Sequence, residues 1–131
     1  MIKLRKFALQ NDGATAVEFA FTAPLFMALV WGIIEAGIAL WIQFGLENAV
    51  ETAARCASAN TTTCSSASAI ASYAAANTLG VTIPVSAFTV SKVTCGNQVA
   101  ASYTYSYLTH FFHTVGVNLS ATSCFPDINA G

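Results

Sequence analysis

A carboxylate at the mouth of a long apolar run constrains this chain more than any other feature. Glu18 opens a stretch from residue 19 to residue 46 whose only other acid is Glu35. The stretch is about 28 residues, or roughly 42 Å as an α-helix, which crosses a bilayer with length to spare. The whole chain is 55% hydrophobic and only 8% charged, against about a quarter charged in a typical soluble domain. The excess lies in this one run, which points to a membrane segment rather than to an unusually apolar core. An acid inside or beside such a segment is costly and is a functional hypothesis by default.

The basic residues give the segment a direction. Lys3, Arg5 and Lys6 precede it, and only Arg55 and Lys92 follow. By the positive-inside rule the first dozen residues stay in the cytoplasm and everything past residue 46 crosses the membrane. No basic cluster remains on the far side to hold nucleic acid, so no nucleic-acid partner is expected. The four cysteines, Cys56, Cys64, Cys95 and Cys124, all lie on that side. An even number in an oxidising compartment favours disulfides. Three pairings are open, and Cys56–Cys64 with Cys95–Cys124 is the most economical.

Residues 1–13 read as a leader of a particular kind. Gln10, Asn11 and Asp12 separate the basic cluster from the apolar run, and Gly13 stands at the border. An ordinary signal peptide has its apolar region before the cleavage site. A cut at Gly13 instead leaves the apolar segment on the mature protein as an anchor. Residues 14–55 read as one helix, kinked at Pro24. Ala28, Gly32 and Ala36 repeat at i, i+4, i+8, a small-residue stripe of the sort that admits a second helix. Glu35, Gln43 and Glu47 share one face. Beyond residue 46 the helix turns amphipathic, with Leu46, Ala49, Val50, Ala53 and Ala54 on one side and an i,i+4 pair, Glu51 and Arg55, on the other.

Residues 56–131 read as a small α+β domain. A polar loop at 60–66 leads to a short helix over 66–79, ended by Gly80. The period then changes to two over 88–94, 99–107 and 115–122, predicting a three-stranded antiparallel meander with Gly96-Asn97 at the first turn and 81–84 at an edge. That meander brings Cys95 and Cys124 to one end of the sheet. The tail from Phe125 is expected to be loosely held. The fold class is therefore α+β: a long transmembrane N-terminal helix, a short second helix and three strands.

Chemistry is hard to place on this sequence. No phosphate-binding loop, nucleophile elbow or H-E-x-x-H motif is present. His110 and His113 have i,i+3 spacing but no third ligand nearby, and read as solvent-facing loop residues. Tyr103, Tyr105 and Tyr107 share a strand face and read as packing on a helix. The chain is expected to be no enzyme and to need no metal or cofactor.

The junction does carry a resemblance. Gly13-Ala14-Thr15-Ala16-Val17-Glu18-Phe19-Ala20 after a basic leader, followed by Pro24-Leu25, Gly32-Ile33-Ile34-Glu35, Asn48-Ala49-Val50 and Ala53-Ala54-Arg55, resembles the TadE-like family. These are the minor pilins or pseudopilins of Tad/Flp tight-adherence pilus systems. The likeness is strong over residues 13–55. It is weaker in the tyrosine-rich strand and in Val117-Asn118-Leu119-Ser120-Ala121. It implies cleavage between Gly13 and Ala14 by a membrane-embedded prepilin peptidase, with this chain as the substrate. It also implies assembly with other pilin subunits and the inner-membrane machinery, and a domain in the periplasm. Glu18, beside Phe19, would then pair with the new ammonium at Ala14 of its own chain or of a neighbour. The competing reading is a binding module on a permanent membrane anchor, serving as an adhesin or receptor.

Overall fold

Lipid offers the backbone no hydrogen-bond partners, so a spanning segment must satisfy its own amides. The chain does so with one uninterrupted helix. The computed structural model describes residues 12–106 and 116–128, and its first element is α1, Asp12–Ala59. The helix runs through Pro24 and continues one turn past the residue 55 expected from the sequence. Its end is set by Asn60, whose side-chain oxygen accepts from the amides of Thr62 and Thr63 at 3.2 and 3.0 Å. Those bonds turn the chain out of the helix.

Two compact units divide the chain, one up to Ala36 and one from Gly37 to the end. The second unit begins inside α1, well before residue 56, because the last third of the helix is itself core. Leu46, Ala49, Val50, Ala53 and Ala54 are buried, while Glu47, Glu51 and Arg55 face outward. That is the amphipathic stripe expected from the spacing. Glu51 pairs with Arg55 across the exposed face, and the Arg55 guanidinium lies 5.0 Å from the centroid of the Phe125 ring.

Helix α2, Ala67–Ala76, buries Ile70, Ala71 and Ala74. Ser66 caps its start by accepting from the Ala69 amide at 3.2 Å, as N-cap serines do. The helix stops earlier than Gly80. Asn77 ends it, with its amide on Ala74 O and its side-chain nitrogen on Tyr73 O at 2.8 Å. The Asn77 carbonyl in turn accepts from Asn48 of α1 at 2.9 Å. Gly80, with φ of +84°, belongs to the turn that follows.

The sheet is a meander of β1 (Phe88–Val93), β2 (Gly96–Ser106) and β3 (Gly116–Phe125), antiparallel and in sequence order. Residues 81–84 lie outside it and lead into a 3-10 turn at Val85–Ala87. Phe88, Val99, Ala101, Tyr105 and Ala121 are buried with the helical stripes in one core. The register pairs Val93 with Gly96, so the first turn is Thr94-Cys95 and not Gly96-Asn97. Gly96 opens β2 with φ of +125°. Phe125 is no loose tail: it pairs with Asn97, and its carbonyl accepts from Ser58 Oγ at 3.1 Å. Two residues on, Asp127 accepts from Lys92 Nζ at 3.1 Å.

Both disulfides sit in this second unit, Cys56–Cys64 and Cys95–Cys124, with Cα separations of 5.9 and 6.3 Å. The first clips the end of α1 to the loop before α2. The second ties the β1–β2 turn to the end of β3. Loop-closure entropy favours the longer loop, 29 residues against 8, giving about 3.5 and about 2.5 kcal/mol. A Cys95→Ser/Cys124→Ser protein is expected to lose more stability than Cys56→Ser/Cys64→Ser. The urea midpoint of the detergent-solubilised chains checks this order.

Candidate functional site

An unsupported helix in water would hide its large apolar side chains; the first half of α1 displays them. Val17, Phe19, Phe21, Leu25, Phe26, Met27, Leu29, Trp31, Ile33 and Ile34 are all exposed, Phe19 at 71%. The helix is long and apolar enough to cross a membrane by length and composition. It fits a single-pass anchor whose outer surface awaits lipid or another helix.

Gly13 and Ala14 lie in the first turn of this helix, both exposed, and a Cβ on Gly13 would meet nothing within 4 Å. Glu18 is one turn on from Ala14, also exposed, with Phe19 beside it. An i,i+4 separation puts two side chains about 5–6 Å apart on one face. Any charge created at the nitrogen of Ala14 would therefore stand at the head of the ridge that carries Glu18. One contributor that the sequence reading passed over is Thr22, whose hydroxyl donates to Glu18 O at 3.0 Å and contacts Phe19 O at 3.3 Å. A threonine four residues after the acid is the signal for it, since a helical threonine hydroxyl reaches the i−4 carbonyl.

The packing stripe is open. Ala28, Gly32 and Ala36 are exposed, and a Cβ on Gly32 would meet nothing within 4 Å. The second acid behaves differently: Glu35 is buried, at 5% exposure. Gln43 and Glu47, expected on one face, are bonded to each other at 2.8 Å, and Gln43 also donates to Ser120 O of β3 at 3.1 Å.

The other candidates fall elsewhere. Tyr105 is buried and Tyr103 packs against the core, so that face of β2 is structural; Tyr107 lies outside the described residues. His110 and His113 also lie outside them. Among the described residues no three His, Cys, Asp or Glu side chains gather as a metal site would need. An open groove of about 430 Å³ runs between α1 and β3, lined by Glu47, Glu51, Ser120 and Thr122 among others.

No curated protein and no solved structure matches the chain. Residues 13–55 match the family model of TadE-like proteins. The matched segment runs from the Gly13 junction through the exposed apolar ridge to Arg55, the part of the chain on which the resemblance was strongest. That segment, about a third of the chain, is thus similar to TadE-like proteins.

Proposed function

We propose that the protein is a minor pilin or pseudopilin of a Tad-type pilus, cut by a prepilin peptidase between Gly13 and Ala14 and assembled through its membrane helix. The observation that carries this reading is the exposed junction itself. A scissile-type glycine and an acid one turn away stand at the head of an apolar helix with no intramolecular cover over most of its first half. Cleavage would convert the Ala14 amide into an ammonium in low dielectric. Glu18, in its own chain or in the next subunit, is the group to neutralise it. Ala28, Gly32 and Ala36 would then let a neighbouring helix approach closely. The domain from Gly37 would face the periplasm, where its disulfides form.

The leader side of the junction provides the test. A Gly13→Ala chain is expected to remain uncut and to accumulate in the inner membrane with the leader attached. Immunoblotting of membranes, with wild type beside it, reads this as a slower-migrating band. A Gly13→Ala chain processed as fast as wild type would remove Gly13 from the role given to it.

A further inference from the structure

The two edges of the sheet are built differently. Strand β1 is six residues long and carries Lys92, whose side chain is 78% exposed. A short strand and an exposed lysine both blunt an edge against further pairing. Strand β3 is ten residues long, Gly116-Val117-Asn118-Leu119-Ser120-Ala121-Thr122-Ser123-Cys124-Phe125, with no charge and no proline. It has neither of the devices that protect β1.

The backbone of β3 shows which groups this edge offers. In an antiparallel pair every second residue turns its N–H and C=O away from the neighbouring strand. Ser120 O accepts from Gln43 of α1, outside the sheet, at 3.1 Å. Ser120 therefore faces outward, and Thr122, two residues on, does the same. Among the described residues nothing bonds the outward amide or carbonyl of Thr122.

Helix α1 holds this edge near its two ends, Gln43 on Ser120 O and Ser58 on Phe125 O. The two anchors are roughly 22 Å apart along the helix, room for about five residues of extended chain. Between them lies the open groove of about 430 Å³, every lining residue of which belongs to the second unit. Glu47 and Glu51 form its helical wall. Glu51 is paired with Arg55, and Arg55 stands over Phe125. Glu47 is bonded by the neutral amide of Gln43 at 2.8 Å, which leaves its charge uncompensated. The groove is thus acidic towards Gln43 and basic towards Phe125.

We propose that this edge takes a fourth strand: an extended segment of a partner protein, laid along β3, with a lysine or arginine facing Glu47. Its backbone bonds the N–H and C=O of Thr122, as an added strand does. Alternate side chains of the segment point towards α1, and the one beside Glu47 is the basic one. The contact depends neither on cleavage at Gly13 nor on the role of Glu18.

The test uses the full chain, detergent-solubilised with both disulfides intact. The probes are two capped seven-residue peptides that alternate threonine and valine around a central lysine or a central glutamate. The lysine peptide is expected to slow exchange of the Thr122 amide about tenfold or more at saturation. It should also bind about tenfold more tightly than the glutamate peptide. Glu47→Lys should reverse that preference. Equal affinity for the two peptides overturns the fourth strand, and so does a Thr122 amide left unchanged by millimolar lysine peptide. Protection of Thr122 without peptide that rises with protein concentration identifies a second copy as the occupant and also overturns it. Proline substitution checks the edge itself. Thr122→Pro removes an outward N–H and should keep the urea midpoint close to wild type while abolishing peptide binding. Ser123, paired with Val99, turns its N–H towards β2, and Ser123→Pro should lower the midpoint markedly. A Thr122→Pro chain as destabilised as Ser123→Pro would put the Thr122 amide inside the ladder and overturn the free edge. A Thr122→Pro chain that still binds the lysine peptide overturns the strand pairing.

Discussion

Cells carrying Glu18→Ala are expected to contain the shortened chain, beginning at Ala14, and to lose most of their assembled pili. The two halves of this result separate because the two devices at the junction act on different events. In the proposed pilin role the peptidase would read Gly13, which is exposed and unhindered. Glu18 would act afterwards, when the ammonium proposed at Ala14 would have no other charge to meet within an apolar bundle. Leaving one member of a buried ion pair without its partner costs about 3 kcal/mol or more, roughly a hundredfold in a subunit-binding equilibrium. Glu18→Gln keeps the shape and most hydrogen bonding but removes the charge, and is expected to fail nearly as badly. Glu18→Asp should recover part of the assembly. Counting pili by electron microscopy, beside N-terminal mass measurement, checks both halves. Normal pili from Glu18→Ala would end the charge-pair explanation.

Gly96→Ala is expected to be the most damaging single methyl group in the domain. At φ of +125° the backbone is strained for any L side chain, and the added Cβ would lie 2.1 Å from Phe125 O and 2.7 Å from Pro126 Cα. These are backbone atoms, and they cannot step aside. Cys95 and Cys124, the neighbours of Gly96 and Phe125, are tied by a disulfide, and the Phe125 carbonyl is also held by Ser58. The cost is about 3 kcal/mol, the size expected when backbone strain and a steric clash coincide. Gly80 is the control. Its φ is also positive, +84°, but a Cβ there would meet nothing within 4 Å, so Gly80→Ala should cost only about 1 kcal/mol. Urea unfolding of the solubilised chains ranks the two. The opposite ranking would mean that β2 and β3 are not in the register described.

Much of this architecture was legible because the patterns are periodic. The stripe Leu46, Ala49, Val50, Ala53 and Ala54 could be read from spacing alone, and all five residues are buried. The three strands followed from alternation, and the meander order brought Cys95 near Cys124. The failures lie where tertiary partners decide. Nothing in the sequence distinguishes a helix stretch packed on protein from one facing lipid, because both are apolar. The second compact unit starts at Gly37, within the helix. Gly80 looked like a helix cap until Asn48 and Tyr73 were seen to engage Asn77 three residues earlier. The tail looked loose because Ser58 and Lys92, which hold Phe125 and Asp127, are far away in sequence. At the junction, Gly13, Ala14 and Glu18 were legible as a motif, and the geometry adds their common exposure and the i,i+4 relation of Ala14 to Glu18.

The mature N-terminus decides between an assembly subunit and a permanently anchored module. Intact mass and N-terminal sequencing of the protein from membranes of cells with and without the prepilin peptidase measure it directly. The expected result is a chain beginning at Ala14 when the peptidase is present and a chain retaining residues 1–13 when it is absent. A chain that keeps residues 1–13 in both would contradict the pilin reading.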